Sequence, residues 1–188
     1  RLETAELLAW TIDAAGASRF IDRLILSSDD PDIMALARRR GCDVPFVRPA
    51  HLAGDDVPGV EPVVHAVRTL PGYDYVVLLQ PTTPYRSAGD IDGCIERCIA
   101  TRSTACVTVS PVSKSPYWMF HMAADDGLDP VIEDRGDVCI RQQLPATYAL
   151  NGAVYVREVQ SLLRSKTMVP PEAKGYVMPS ERSVDIDT

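Results

Sequence analysis

A chain of 188 residues can bury a sizeable core as one domain, and 46% hydrophobic against 24% charged residues describes a globular rather than a disordered chain. A formal net charge of −7, with no basic run or basic–aromatic stripe, excludes broad binding to nucleic acid or to an anionic membrane surface. No apolar run is long enough to span a bilayer and no signal peptide is recognisable, so no membrane association and a cytoplasmic location are expected. The five cysteines, Cys42, Cys94, Cys98, Cys106 and Cys139, form no CxxC pair, which argues against a zinc ribbon or disulfide framework and for small buried hydrophobes.

In chain order, Leu7–Ile12 with Ala14 and Ala15 reads as an amphipathic helix ending near Gly16. Leu24–Leu26 is a short strand, and Ser27–Pro31 a turn into a helix carrying Ile33, Met34, Leu36 and Ala37, closed by Gly41. Ser28 and Asp29 suit a helix cap. Val44–Val47 reads as a strand, residues 48–59 as a Pro, Gly and Asp loop, and Val60–Leu70 as a helix. Tyr75–Leu79 is an apolar, β-branched run with the pattern of a strand buried on both faces. Gln80-Pro81-Thr82-Thr83-Pro84 stops it, because proline donates nothing to a ladder. Ser87, with Asp90 three residues on, is a capping box for a helix bearing Ile91, Cys94, Ile95 and Ile99. Ala105–Val109 is another strand.

Strands alternating with helices at this spacing predict parallel βα units, and the Gln80–Pro84 turn would lie at a strand's carboxyl end, where open α/β sheets bind ligands. From Ser110 the rhythm breaks. Pro111, Pro116, the Tyr117-Trp118-Met119-Phe120 cluster, Gly127 and Pro130 mark an irregular insertion, about residues 113–144, that is either a local mini-core or an exposed patch. Ala153–Val156 is a strand, Glu158–Leu163 a helix, and Tyr176–Met178 a last strand. In Val184-Asp185-Ile186-Asp187 the alternation puts both carboxylates on one side of an extended segment, a pairing that suits a cation. The alternative is a C-terminal strand with two solvated acids.

Four stretches in order carry a resemblance: Arg48–Asp55, the string LLQPTTPYR followed by DID, Arg141–Pro145 running into NGAVY, and the terminal DIDT. Together they span nearly the whole chain, which resembles the acylneuraminate cytidylyltransferase family. The resemblance implies one domain over residues 1–188 with an α/β, doubly wound, mostly parallel sheet of Rossmann-like nucleotidyltransferase type. It implies that the 113–144 insertion dimerises, giving a homodimer. The implied reaction takes CTP and a nonulosonic (sialic-type) acid to the CMP-sugar and pyrophosphate, with Mg²⁺. By motif, Gln80, Thr82, Arg141, Asn151 and Tyr155 would hold the acid; Ser28, Asp29, Gly54 and Asp55 the nucleotide; and Asp185 and Asp187 the metal. Arg141 would pair with carboxylate or phosphate, since a planar guanidinium suits both. Asp185, Asp187 and Arg141 would be the catalytic groups.

The chain departs from the family in lacking the opening strand and a glycine-rich basic loop of the ARGGSKG kind, and no GxxxxGK or GxGxxG replaces it. The expectation is that strand and loop precede Arg1 in the native protein. A catalytically silent sugar- or nucleotide-binding homologue, acting as a partner or regulatory subunit, is the rival reading. A dinucleotide-binding dehydrogenase is disfavoured, since no fingerprint follows any strand.

Overall fold

A computed structural model of the protein describes residues 4–133 and 144–186. Its centre is a four-stranded sheet in the order β1 (Tyr75–Leu78), β5 (Tyr148–Glu158), β2 (Ala105–Pro111), β6 (Lys174–Val177). β2 and β6 pair in parallel, and β5 runs antiparallel to both β1 and β2. Three strands therefore point one way and one is reversed. The reversal has a local cause: β2 leads into a hairpin rather than a crossover helix, and β5 returns from it beside β2. That hairpin, β3 (Phe120–Met122) with β4 (Leu128–Pro130), forms a separate two-stranded sheet inside the expected insertion.

Helices cover both faces, as a doubly wound sheet requires. The alternation along β1 shows this directly. Val76 and Leu78 pack with α3 (Val60–Thr69) and α5 (Val159–Ser165), around Val63, Val64 and Leu162. Val77 and Leu79 pack on the other side, where Ile91, Cys94, Ile95 and Cys98 of α4 (Ala88–Ala100) lie against Cys106, Val154 and Val156. α1 (Thr4–Gly16) and α2 (Pro31–Arg39) extend that layer through Leu8, Ile12 and Ala37. The four cysteines among the described residues are buried free thiols, as their expected hydrophobic role requires; Cys139 lies outside the described residues.

The structure differs from the sequence expectation at four places. β1 is half-buried at an edge of the described sheet, not buried on both faces. Leu24–Leu26 and Val44–Val47 do not form strands; they meet through one parallel bridge, Ile25 to Asp43, with Leu26 N donating to Asp43 O at 2.8 Å. The cap of α2 is Asp30, whose side chain accepts from the Asp32 and Ile33 amides, not Ser28 or Asp29. β5 starts five residues earlier than its apolar run, because the ladder is interrupted and resumed. Val107 faces Tyr155 but Val109 faces Leu150, so several residues of β5 bulge opposite Thr108. Thr108 splices the gap with its own hydroxyl, accepting from Val154 N at 2.8 Å and donating to Val154 O at 3.2 Å.

Candidate functional site

The bulge in β5 and the turn after β1 meet. Register places Leu78 opposite Tyr155, so the chain leaving β1 runs past the bulged residues Asn151 to Val154. Thr83, fully buried, donates to Asn151 O at 3.1 Å. Arg86 reaches under both segments and donates to the Gln80 and Ala153 carbonyls. The segment after β6 closes on the same place, with Ile186 N donating to Thr82 O at 2.8 Å.

Gly152 sits where these pieces converge, at φ +72, a conformation glycine adopts without the Cβ penalty. A β-carbon there would meet Gln80 Oε1 at 2.9 Å, Thr83 Oγ1 at 3.0 Å and Asp185 Oδ2 at 3.2 Å. Three oxygens, two from the turn after β1 and one from the segment after β6, thus surround a space the size of one methyl group. Among the described residues nothing pairs with the Asp185 carboxylate, which is exposed. Its charge is felt by Tyr155, whose hydroxyl is pushed up by burial and further by Asp185.

A cleft of about 320 Å³ opens beside this point, lined by Gln80, Leu78 and Tyr155 on one side and by Pro58, Lys166 and Met168 on the other. Val60 and Val169 complete a mostly apolar wall, in which Gln80, Tyr155, Lys166 and Thr167 are the polar groups that could orient a ligand.

The expected acid-binding residues divide. Gln80 and Tyr155 line the cleft. Thr82 contributes its carbonyl to hold Ile186. Asn151 is buried, and its side chain is engaged: Nδ2 donates to Ser183 Oγ at 2.9 Å and Oδ1 accepts from Ala153 N at 3.2 Å. That amide ties the bulge to the segment carrying Asp185. Arg141 and Asp187 lie outside the described residues.

The expected nucleotide residues lie along one path. Ser28 is buried and its hydroxyl accepts from Asp30 N, while its carbonyl accepts from Arg48 N at 2.9 Å. Arg48 also donates to the Ser27 carbonyl and hydroxyl, fastening the turn to the start of the 48–59 loop. Asp29, Gly54 and Asp55 are exposed on that turn and loop, which ends at Pro58 in the cleft wall.

Sequence reasoning assigned no role to Gly152, Thr83 or Lys166. For Gly152 a signal existed, since a glycine inside a strand pattern marks a bulge or a close backbone approach. The left-handed Lys166, at φ +48, has no sequence signal of that kind.

A family profile described as Cytidylyltransferase matches residues 1–118. The chain is 29% identical over 97% of its length to a CMP-N,N'-diacetyllegionaminic acid synthase of Legionella pneumophila, of which it covers 80%. It is 29% identical over 96% of its length to an N-acylneuraminate cytidylyltransferase of Escherichia coli, of which it covers 43%. Among solved structures, a CMP:2-keto-3-deoxy-manno-octonic acid synthetase complexed with CTP superposes with a TM-score of 0.66 over 93% of this chain and 80% of that one, at 10% identity. That likeness establishes the nucleotidyltransferase fold. The family match covers well over half the sequence, and the turn, bulge and cleft fall where a ligand of an open α/β sheet binds: the chain belongs to the cytidylyltransferase family.

Proposed function

We propose that the protein transfers CMP from CTP to the anomeric hydroxyl of a nonulosonic acid. The hydroxyl oxygen forms a bond to the α-phosphorus, the bond from that phosphorus to the bridging oxygen breaks, and pyrophosphate departs with the electron pair. The hydroxyl proton leaves to solvent through the open cleft. The observation that carries this reading is the convergence of Gln80, Thr83 and Asp185 on Gly152, beside a cleft that Gln80 and Tyr155 also line. The names of the sequence relatives, which act on legionaminic and acylneuraminic acids, support the substrate class.

Phosphoryl transfer depends mainly on positioning and charge neutralisation. In this reading Gln80 and Tyr155 orient the acid from one wall of the cleft. The 27–30 turn and the 48–59 loop, with Ser28, Asp29, Gly54 and Asp55, hold the nucleotide, and Arg141 meets the acid's carboxylate or a phosphate. Asp185 fits a divalent cation: it is a hard oxygen donor, exposed and without an ion-pair partner among the described residues. No group of three or more acidic, His or Cys side chains accompanies it there. Mg²⁺ needs only one or two carboxylates, taking its other ligands from water and phosphate, so Asp185 with Asp187 would hold it. When bound, Mg²⁺ supplies charge neutralisation to the phosphates.

Residues 1–188 form one domain in this reading, and the β3–β4 hairpin makes a homodimer. Its Met119, Met122 and Leu128 are exposed, an apolar surface that a second copy would cover. A reducing, cytoplasmic setting is supported by the buried free thiols; no helix among the described residues is long and apolar enough to cross a membrane.

The test is kinetic. Gln80→Ala should raise the Michaelis constant for the acid more than that for CTP, by an amount worth ~1–3 kcal/mol, the cost of an unpaired polar contact. A variant that loses CTP affinity and keeps that for the acid would reverse the assignment of the cleft.

A further inference from the structure

Arg86 is only 3% exposed, yet it is a cation without a counter-ion among the described residues. Its Nη1 donates to Gln80 O at 2.7 Å and Ala153 O at 2.8 Å, and its Nη2 to Gln80 O and Thr11 Oγ1, each at 2.6 Å. Nε is buried and has no partner among the described residues. Burial pulls the guanidinium down to about 10. Burying an unpaired charge is costly, and carbonyl and hydroxyl groups offset that cost only in part.

What the fork holds explains where it sits. Gln80 begins the turn after β1, Ala153 follows Gly152 in the β5 bulge, and Thr11 lies in α1, anchored by its own bond to Leu7 O at 3.1 Å. One planar group therefore sets the spacing between the two segments whose side chains and backbone face the space over Gly152. Lysine, with a single nitrogen on a flexible stem, cannot span the same acceptors.

We propose that Arg86 is a positioning residue of the site: it clamps the Gln80 and Ala153 carbonyls against helix α1, so that the Gln80 side chain faces Gly152 and, through it, the acceptor in the cleft. The clamp is independent of what the protein binds. The second half rests on the reading of the acceptor as a sugar acid.

The full-length protein offers a matched control. Arg157 is also fully buried with a partnerless Nε, but its bonds go to Thr104 O, Ser161 Oγ and Ser165 Oγ, none of them at the site. The experiment compares Arg86→Lys and Arg86→Gln with Arg157→Lys. The first readout is the side-chain amide of Gln80 in a proton–nitrogen correlation spectrum, assigned with Gln80→Ala. It should shift and broaden in both Arg86 variants and stay put in Arg157→Lys.

The second readout is kinetic. Arg86→Lys should raise the Michaelis constant for the acid at least tenfold while that for CTP changes less than threefold, and Arg86→Gln should raise it further. If the parent protein turns over no sugar acid, the acceptor reading fails and with it the link to the acceptor, while the Gln80 signal still decides the clamp. If the Arg86 variants fail to fold, Thr11→Val removes one bond of the fork and should move the same signal by less. An unmoved Gln80 amide in whichever variant folds overturns the clamp. Equal kinetic effects in the Arg86 and Arg157 variants overturn the link to the acceptor.

Discussion

A methyl group at position 152 would enter the space that Gln80, Thr83 and Asp185 share, so Gly152→Ala tests how closely those oxygens must approach. The backbone at φ +72 adds strain of ~1–2 kcal/mol for a residue with a β-carbon. We expect a drop in melting temperature of a few degrees and a loss of turnover of at least tenfold, more than the fall in stability explains; a fully active Gly152→Ala protein would show that the convergence is incidental. Asp185→Asn keeps the shape and removes the charge. Its turnover should fall at least a hundredfold at limiting Mg²⁺, recover partly with Mn²⁺, and leave the melting temperature within a degree or two. A variant equally active at limiting metal would leave Asp185 a solvated acid. At this scale the placement of Gln80 and Tyr155 in the cleft and of Asp185 beside Gly152 was legible in the sequence, because each belongs to a recognisable string; the roles proposed for them are what the variants test. Asn151 was legible as part of the same string but not in its role, because the bonds to Ser183 and Ala153 depend on how the bulge folds.

Among the elements, α4 holds more than its own sheet. Its Ser87 and Asp90 form the capping box that their spacing predicts. Asp90 then receives both arms of Arg182, at 2.8 and 2.9 Å, from the short 3₁₀ helix Ser180–Arg182 that leads to Asp185. The cap residue of one helix thereby anchors the segment that carries the proposed metal ligand. Burial would raise the Asp90 carboxyl, but the Arg182 guanidinium and the Ser87 donors outweigh it and hold it below its ordinary value. A depressed folded value means that the bond stabilises the protein above the unfolded carboxyl range, near pH 4, and that this stability is lost as pH falls through the lower folded value. Melting curves of the parent and of Asp90→Asn should therefore differ at pH 7 and approach one another as the pH falls through the depressed value of the Asp90 carboxyl; curves separated by the same interval throughout would mean that the carboxylate's charge contributes nothing. The cap could be read from sequence because its partners are three residues apart. The Arg182 pair could not, since 92 residues separate its members. The start of β5 was hidden for a related reason: the splice at Thr108 is made by a side chain on another strand.

For the whole molecule, the doubly wound architecture was legible because helix and strand periods alternate up to Ser110, and the break there located the hairpin. The reversed direction of β5 was not, since it follows from how the chain returns from that hairpin. The hairpin's exposed Met122 and Leu128 make the proposed dimer testable. Sedimentation should show a dimer for the parent protein and a monomer for the Met122→Ser, Leu128→Ser double variant; a parent that sediments as a monomer at every concentration would remove the dimer from the account. The central claim is the reaction itself, and pyrophosphate release by the full-length protein measures it directly. With CTP, Mg²⁺ and a panel of N-acetylneuraminic, legionaminic and pseudaminic acids, the account predicts release with at least one acid, equal in amount to the CMP-sugar formed and absent when either substrate is left out. No release with any of these acids, or release from CTP that ignores them, would contradict it.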